Sequence, residues 1–123
     1  MGARIIDISP LVSERIGVWP GDIPYERSIT CRLEDGASVG LSSIRTTLHV
    51  GAHTDAPNHY RQGTDGIAER DLERYYGACQ VVRVRLPRGE RIRPEHCKVP
   101  IRAPRVLFST GSFPDPNCFS EDF

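Results

Sequence analysis

The chain has no excess of charge of either sign, because 16 lysines and arginines balance 16 aspartates and glutamates over 123 residues. A protein without net charge exerts no long-range attraction on nucleic acid or on an anionic membrane. The arginines are also interleaved with acidic residues, which is typical of a solvated mixed-charge surface. The composition therefore argues against a nucleic-acid-binding protein.

Long apolar runs are missing as well. No stretch approaches the ~20 apolar residues that a membrane-spanning helix needs. The first residues lack the apolar core and the small-residue cleavage site of a secretory signal, and Ile6 breaks the pattern for N-myristoylation. We therefore predict a cytoplasmic protein with no membrane partner.

The cysteines form no CxxC pair, and no export signal indicates an oxidising compartment. We predict free, mostly buried thiols at Cys31, Cys79, Cys97 and Cys118. No internal repeat, low-complexity tract or long linker divides the chain. One domain, or part of one, is the expectation at this length.

What the chain does have is a β-rich pattern with loops between the strands. A short helix is predicted over residues 68–76, ended by Gly77, which suits the position after a helix. Ile44, Thr46 and Leu48 are predicted to share one face of a strand. Alternation also predicts a half-buried strand in which Val82, Val84 and Leu86 oppose Cys79, Val81 and Arg83. The predicted strands are 5–8, 25–33, 39–48, 78–86 and 105–109, with a turn at 34–36.

Three of the four histidines stand within eleven residues, together with one aspartate. Imidazole nitrogen and carboxylate oxygen are ligands that zinc accepts at about 2.0–2.2 Å. Isolated histidines are commonly ordinary surface or core residues, but four candidate ligand residues in one short segment favour a metal site. The candidate ligands are His49, His53, Asp55 and His59.

The spacing of these residues requires a bent segment. An extended chain advances about 3.3 Å per residue, which would separate the Cα atoms of His49 and His53 by about 13 Å. Gly51 lies midway, where the missing Cβ permits unusual backbone angles. Pro57 argues against one continuous helix. If the backbone is locally extended, His53 and Asp55 face the same way, and Asp55 could also bridge to a second ion.

Residues 49–59 closely resemble the HxGxHxDxPxH signature of the cyclase family of metal-dependent hydrolases. The resemblance extends to most of the chain. Residues 6–11 resemble the family's opening strand, Trp19–Asp22 resembles its Trp-Pro-Gly-Asp turn on the substrate side, and residues 76–82 resemble the strand after the site.

The resemblance implies a single cyclase-like domain over residues 1–123. The implied fold is α/β, with a β-rich mixed sheet of the swivelling β/β/α type, in a homodimer. In this family a further His and Glu ligand come from a second half of the protein, so we expect the chain to correspond to an N-terminal, truncated portion. The setting of His96 does not resemble that distal ligand segment, and we expect His96 on the surface of a short helix.

The activity implied by the resemblance is hydrolysis of N-formyl-L-kynurenine to L-kynurenine and formate, a step of tryptophan catabolism. It would take place at a centre of two zinc ions, with manganese as the other candidate metal. By the same resemblance, His49 and His53 would bind the first ion and Asp55 would bridge both. His59 would act as the acid and base, and Trp19 would line the pocket for the aromatic formamide.

Two other functions remain open at this point. Another cyclase-family hydrolase, such as an enzyme like isatin hydrolase that opens a cyclic amide, would carry the same candidate ligands in residues 49–59, the metal segment. A non-catalytic metal-binding remnant would also fit a chain without the distal ligands. The metal segment by itself does not separate these three functions.

Overall fold

The computed structural model describes residues 4–121, which divide into two compact units. The first unit contains residues 4–54 and 115–119, and the second contains residues 55–114 and 120–121. Each unit has one two-stranded sheet. The protein is thus of the mixed α/β class, with few strands and little helix.

The sheet of the first unit is an antiparallel hairpin of β1, Glu26–Cys31, and β2, Leu41–Arg45. The register shifts between Ile29 and Cys31, so β1 carries a bulge near its end. Both strands lie inside the predicted ranges, and the predicted turn is confirmed as a short 3₁₀ helix, Leu33–Asp35, between them. Residues 46–48 connect the hairpin to the metal segment, residues 49–59.

The face predicted for Ile44, Thr46 and Leu48 is not formed, because β2 ends at Arg45. Leu48 is 88% exposed, whereas Thr47, on the opposite parity, is buried. Without a strand ladder, side chains beyond Arg45 no longer alternate with a period of two.

The strand predicted over residues 5–8 is wrong. The first strand of the described residues is β1, and Ile5 and Ile8 are largely exposed. Apolar β-branched residues favour an extended backbone, but a strand also needs a neighbour to satisfy its backbone hydrogen bonds. The two strands of this unit already pair with each other.

The sheet of the second unit pairs β3, Gln80–Arg83, with β4, Val106–Ser109, in parallel. Both predicted strands are confirmed, although β3 is shorter than expected. The predicted alternation is confirmed too, since Val82 and Val84 are buried whereas Val81 is exposed.

The helix predicted over residues 68–76 is wrong. Two separate 3₁₀ helices form instead, Ile67–Glu69 and Leu72–Arg74, and the two residues between them have extended backbone. A stretch this short gains few hydrogen bonds for the turns that it fixes, and isolated helices below about 12 residues are marginal. Gly77, predicted to end the helix, does adopt a positive φ of 131°.

The buried apolar core of the described residues is small and consists of Ile16 in the first unit and Val82 and Val84 in the second. The four cysteines are free thiols as predicted. The expectation that most are buried is wrong, because Cys79 and Cys118 are exposed and the other two are half-buried. No helix between residues 4 and 121 is long and apolar enough to cross a membrane.

Candidate metal centre

A tight turn precedes the metal segment in the first unit. The backbone N–H of Asp22 donates to the carbonyl of Trp19 at 2.9 Å. Pro20 and Gly21 occupy the central positions, and Gly21 has a φ of 87°. Proline followed by a glycine of positive φ is the pattern of a type II turn. The turn predicted at these residues is therefore confirmed.

Asp22 at the end of this turn is connected to the metal segment through Thr47. The Thr47 hydroxyl donates to one carboxylate oxygen of Asp22, and the backbone N–H of Ile23 donates to the other at 2.8 Å. The Thr47 oxygen in turn accepts the backbone N–H of His49 at 3.2 Å. The pKa of Asp22 is lowered first by the hydrogen bond from Thr47 and then by the one from Ile23. Burial raises this pKa to a smaller extent, and the charge of His49 lowers it least of all.

The predicted bend lies at Gly51, which has a φ of 60°. A Cβ placed there would meet the Val12 side chain at 3.0 Å and the Ile16 side chain at 3.4 Å. A positive φ is strained for residues with a Cβ, and these neighbours also leave little room for one. Both backbone conformation and packing therefore require glycine at this position.

The bend brings the imidazoles of His49 and His53 together. His49 Nδ1 lies 3.3 Å from His53 Nε2, and the ring centroids are 5.2 Å apart. His53 Nδ1 lies 3.0 Å from the carbonyl oxygen of Gly51. A carbonyl can only accept, so in the neutral ring His53 carries its proton on Nδ1 and presents the lone pair of Nε2 to His49. This is the tautomer that a metal-ligating histidine adopts when a backbone carbonyl orients it.

A 3₁₀ helix, Pro57–His59, carries the third histidine. Pro57 occupies its first position, where the missing N–H costs no hydrogen bond. The N–H of His59 donates to the carbonyl of Ala56 at 3.0 Å, and the N–H of Asn58 donates to that of Asp65 at 3.1 Å. The prediction that Pro57 excludes one continuous helix through the segment is confirmed.

Asp55 is held by the residue that follows this helix. The Tyr60 hydroxyl donates to Asp55 Oδ2 at 3.0 Å. This hydrogen bond raises the pKa of Tyr60, because ionisation of the phenol would lose the bond and would also place a phenolate beside the negative carboxylate. Carboxylates that bind metals are commonly oriented by such a hydrogen bond.

The four candidate ligands are divided between the two units, with His49 and His53 in the first and Asp55 and His59 in the second. Within the first unit, the bend brings the imidazoles of His49 and His53 together. Within the second unit, Asp55 precedes the 3₁₀ helix that ends at His59. The four residues come from one continuous stretch of eleven residues.

Trp19 is 55% exposed, and its ring meets that of Phe119 edge to face, with centroids 5.2 Å apart.

His96 lies at the end of a 3₁₀ helix, Pro94–His96, in the second unit, where its Nδ1 accepts the N–H of Arg93 at 3.0 Å. The short helix predicted around His96 is confirmed, with its side chain half-buried rather than fully on the surface.

Sequence reasoning overlooked Asp22, Thr47 and Tyr60 as residues that orient the candidate ligands. In the sequence, Asp22 is distinguished only as the last residue of the Trp19–Asp22 turn. Thr47 precedes His49 by two residues, and a hydroxyl at that spacing can accept a nearby backbone N–H. Tyr60 has no comparable signal, because its contact with Asp55 depends on the turn between them.

Residues 6–113 match the family described as "Putative cyclase", and the chain belongs to this family. Among its relatives are enzymes named kynurenine formamidase. That of Bordetella petrii is 38% identical over 122 residues, covering 98% of this chain and 58% of the relative. That of Polaromonas naphthalenivorans is 39% identical over 110 residues, covering 88% of this chain and 49% of the relative.

The kynurenine formamidase of Bordetella avium is 35% identical over 122 residues, covering 98% of this chain and 58% of that enzyme. The chain therefore spans about half the length of the curated relatives it matches. The family predicted from residues 49–59 is confirmed.

Proposed function

We propose that this chain supplies the metal-binding segment of an amide hydrolase that converts N-formyl-L-kynurenine to L-kynurenine and formate in tryptophan catabolism. The observation that carries the proposal is the approach of the His49 and His53 imidazoles, whose Nδ1 and Nε2 atoms lie 3.3 Å apart. Both residues lie within residues 6–113, which match the cyclase family. The relatives named kynurenine formamidase support the choice of substrate.

The donor set suits a divalent metal, with zinc the first candidate and manganese the second. Two nitrogens bound to one tetrahedral zinc at about 2.0–2.1 Å would lie about 3.3 Å apart. The observed 3.3 Å between His49 Nδ1 and His53 Nε2 matches that separation. We assign His49, His53 and Asp55 as ligands. Asp55 would also bridge to a second ion in the intact protein, by which we mean a protein of the relatives' full length.

An aryl formamide resists hydrolysis because water is a poor nucleophile and an arylamide anion is a poor leaving group. A bound divalent ion would acidify water and stabilise negative charge on the amide oxygen. We assign His59 to take the proton of the attacking water and return it to the departing aniline nitrogen, a contribution of roughly 10²- to 10⁴-fold. Trp19 would stack on the aromatic ring of the substrate.

The proposal includes the fold and assembly that the family implies, namely a swivelling β/β/α domain in a homodimer. Exposed apolar side chains such as those of Leu48 and Tyr76, 88% and 85% exposed, are compatible with further covering surfaces in the intact protein. Light scattering on the intact protein would give the mass of a dimer, and a monomer at micromolar concentration would contradict the assembly.

The function is tested by replacing His59 in the intact protein. His59→Ala should leave zinc content near that of the wild type and lower turnover of N-formyl-L-kynurenine by about 10²-fold or more. His96→Ala is the matched control and should change neither quantity. If His59→Ala removes metal and activity in proportion, His59 is a ligand and the assignment of His59 as acid and base is wrong.

A comparison of substrates separates the related activities. The zinc-loaded wild type should have a much larger kcat/KM for N-formyl-L-kynurenine than for isatin, because discrimination reflects transition-state binding. A preference for isatin would replace the proposed substrate by a cyclic amide. Negligible turnover of both would favour a metal-binding protein without this catalytic activity.

A further inference from the structure

Thr47 is a buried polar residue of the first unit, with 6% exposure, and lies two residues before the candidate ligand His49. Its backbone N–H donates to the carbonyl of Ile23 at 3.0 Å. Its hydroxyl donates to the Asp22 carboxylate and accepts the N–H of His49 at 3.2 Å. Three hydrogen bonds therefore hold Thr47 between the end of the turn and the start of the metal segment.

The backbone around His49 has little other secondary structure to hold it. Strand β2 ends at Arg45, so no ladder continues into this part of the segment. The Leu48 side chain is 88% exposed and contributes little packing. The bend at Gly51 then reverses the chain towards His53. The hydrogen bond from the His49 N–H to the Thr47 hydroxyl therefore helps to fix the backbone from which the imidazole projects.

We propose that Asp22 and Thr47 are positioning residues for the metal centre. Asp22 orients the Thr47 hydroxyl, and Thr47 holds the backbone of His49 so that its imidazole meets His53. This inference rests on the proposed function for its consequence, metal affinity, but the hydrogen bonds that carry it belong to the first unit alone.

The arrangement also joins two parts of the proposed site. Asp22 closes the turn that begins at Trp19, and Thr47 precedes the first candidate ligand. One carboxylate thus connects the residue assigned to the substrate ring with the residue assigned to the metal. Loss of the Thr47 hydroxyl should loosen His49, whereas loss of the carboxylate should loosen His49 only through Thr47.

The chain offers a matched control at the neighbouring position. The hydroxyl oxygen of Thr46 is buried and has no hydrogen-bond partner among residues 4–121. Thr46→Val and Thr47→Val are the same chemical change at adjacent residues, and only the second removes the contact with Asp22 and His49. Thr47→Ser keeps the hydroxyl and serves as the conservative variant.

Two measurements on the whole chain test the proposal. Zinc affinity is measured by competition with a chromophoric chelator, and hydrogen exchange of the His49 amide is followed by NMR in the metal-free protein. Thr47→Val should weaken zinc binding about 10- to 100-fold, the range found for residues that orient metal ligands. It should also speed exchange of the His49 amide by about tenfold. Thr47→Ser should keep the zinc affinity and the exchange rate of the His49 amide close to those of the wild type. Thr46→Val should alter neither quantity.

Asp22→Ala provides a second variant that does not disturb a buried residue, in case Thr47→Val fails to fold. It should weaken zinc binding in the same direction, and should have no added effect when combined with Thr47→Val, because residues of one network are not additive. The proposal would be overturned if Thr46→Val lost as much zinc affinity as Thr47→Val. It would also be overturned if exchange of the His49 amide were unchanged in both Thr47→Val and Asp22→Ala. If the wild-type chain binds no zinc, the proposed metal centre is wrong, while the exchange of His49 still decides whether Thr47 positions it.

Discussion

The indole of Trp19 packs against Phe119 along one edge and is otherwise 55% exposed. Such a ring can offer an aromatic ligand a stacking contact worth about 0.5–1.5 kcal/mol beyond buried area. We expect Trp19→Ala to raise KM for N-formyl-L-kynurenine severalfold, to about tenfold. Zinc content should stay unchanged, and Trp19→Phe should retain most of the affinity. An unchanged KM in both variants would remove Trp19 from the substrate site.

Asp22 gives the same region a dependence on pH. The hydrogen bonds from Thr47 and Ile23 hold the pKa of Asp22 below its ordinary value, which is about 3.9 in model peptides. A carboxyl whose pKa is lowered by folding stabilises the protein above its unfolded pKa, and this contribution is lost as the pH falls through the lower folded value.

We therefore expect Asp22→Asn to unfold at lower urea concentration than the wild type at pH 7, and the two midpoints to converge as the pH falls through the folded-state pKa of Asp22. Thr47→Val should show a smaller change of midpoint over this pH range than the wild type, because it removes the largest cause of the shift. A difference between wild type and Asp22→Asn that stays constant down to acid pH would contradict this assignment.

At the scale of elements, the bend of the metal segment is decided by one residue. Gly51 has a φ of 60° and side chains of Val12 and Ile16 within 3.4 Å of the place of a Cβ. Gly36, after the first 3₁₀ helix, also has a positive φ, of 86°, but apart from its chain neighbours no atom of residues 4–121 lies within 4 Å of its Cβ position. The two glycines therefore separate the cost of the backbone angle from that of packing.

We expect Gly51→Ala to destabilise the chain by more than Gly36→Ala, whose cost is about 1 kcal/mol for the strained backbone alone. Gly51→Ala should also weaken zinc binding, because the bend sets the approach of His49 to His53, whereas Gly36→Ala should bind zinc normally. The measurements are urea unfolding and chelator competition. Equal destabilisation by the two changes, with zinc binding intact, would show that the bend tolerates a Cβ.

At the scale of the whole molecule, the stability of the chain rests on few buried side chains. Ile16, Val82 and Val84 are the buried hydrophobic residues among those described. A ligand that binds only the folded state adds stability, about 2.7 kcal/mol when its concentration is 100 times Kd. Because His49, His53 and Asp55 are proposed as the ligands of one ion, we expect the chain to bind one equivalent of metal.

The expected result is about one equivalent of zinc in the purified 123-residue chain, bound weakly. Zinc at 100 times Kd should raise the free energy of unfolding by about 2.7 kcal/mol, and chelator should reverse the effect. Elemental analysis and thermal unfolding check both. Two tightly bound zinc ions would mean that residues other than His49, His53 and Asp55 complete a second site. A melting temperature insensitive to zinc would contradict the metal centre.

The pattern of the sequence predicted those features that depend on near neighbours in the chain. The alternation around Val82, the bend at Gly51 and the turn from Trp19 to Asp22 follow from side-chain period and from the backbone angles open to proline and glycine. The signature of residues 49–59 likewise identified the family and the candidate ligands. Each of these features is local, so spacing alone describes it.

Other features were decided by tertiary structure. The predicted strand at residues 5–8 did not form because a strand needs a partner, and the predicted helix at residues 68–76 broke because so short a helix depends on packing to persist. The sequence by itself determined which residues are candidate metal ligands and where the chain must bend. Only the tertiary structure decided that Asp22 reaches Thr47, 25 residues further along, because contacts between residues distant in the chain depend on how the intervening backbone folds.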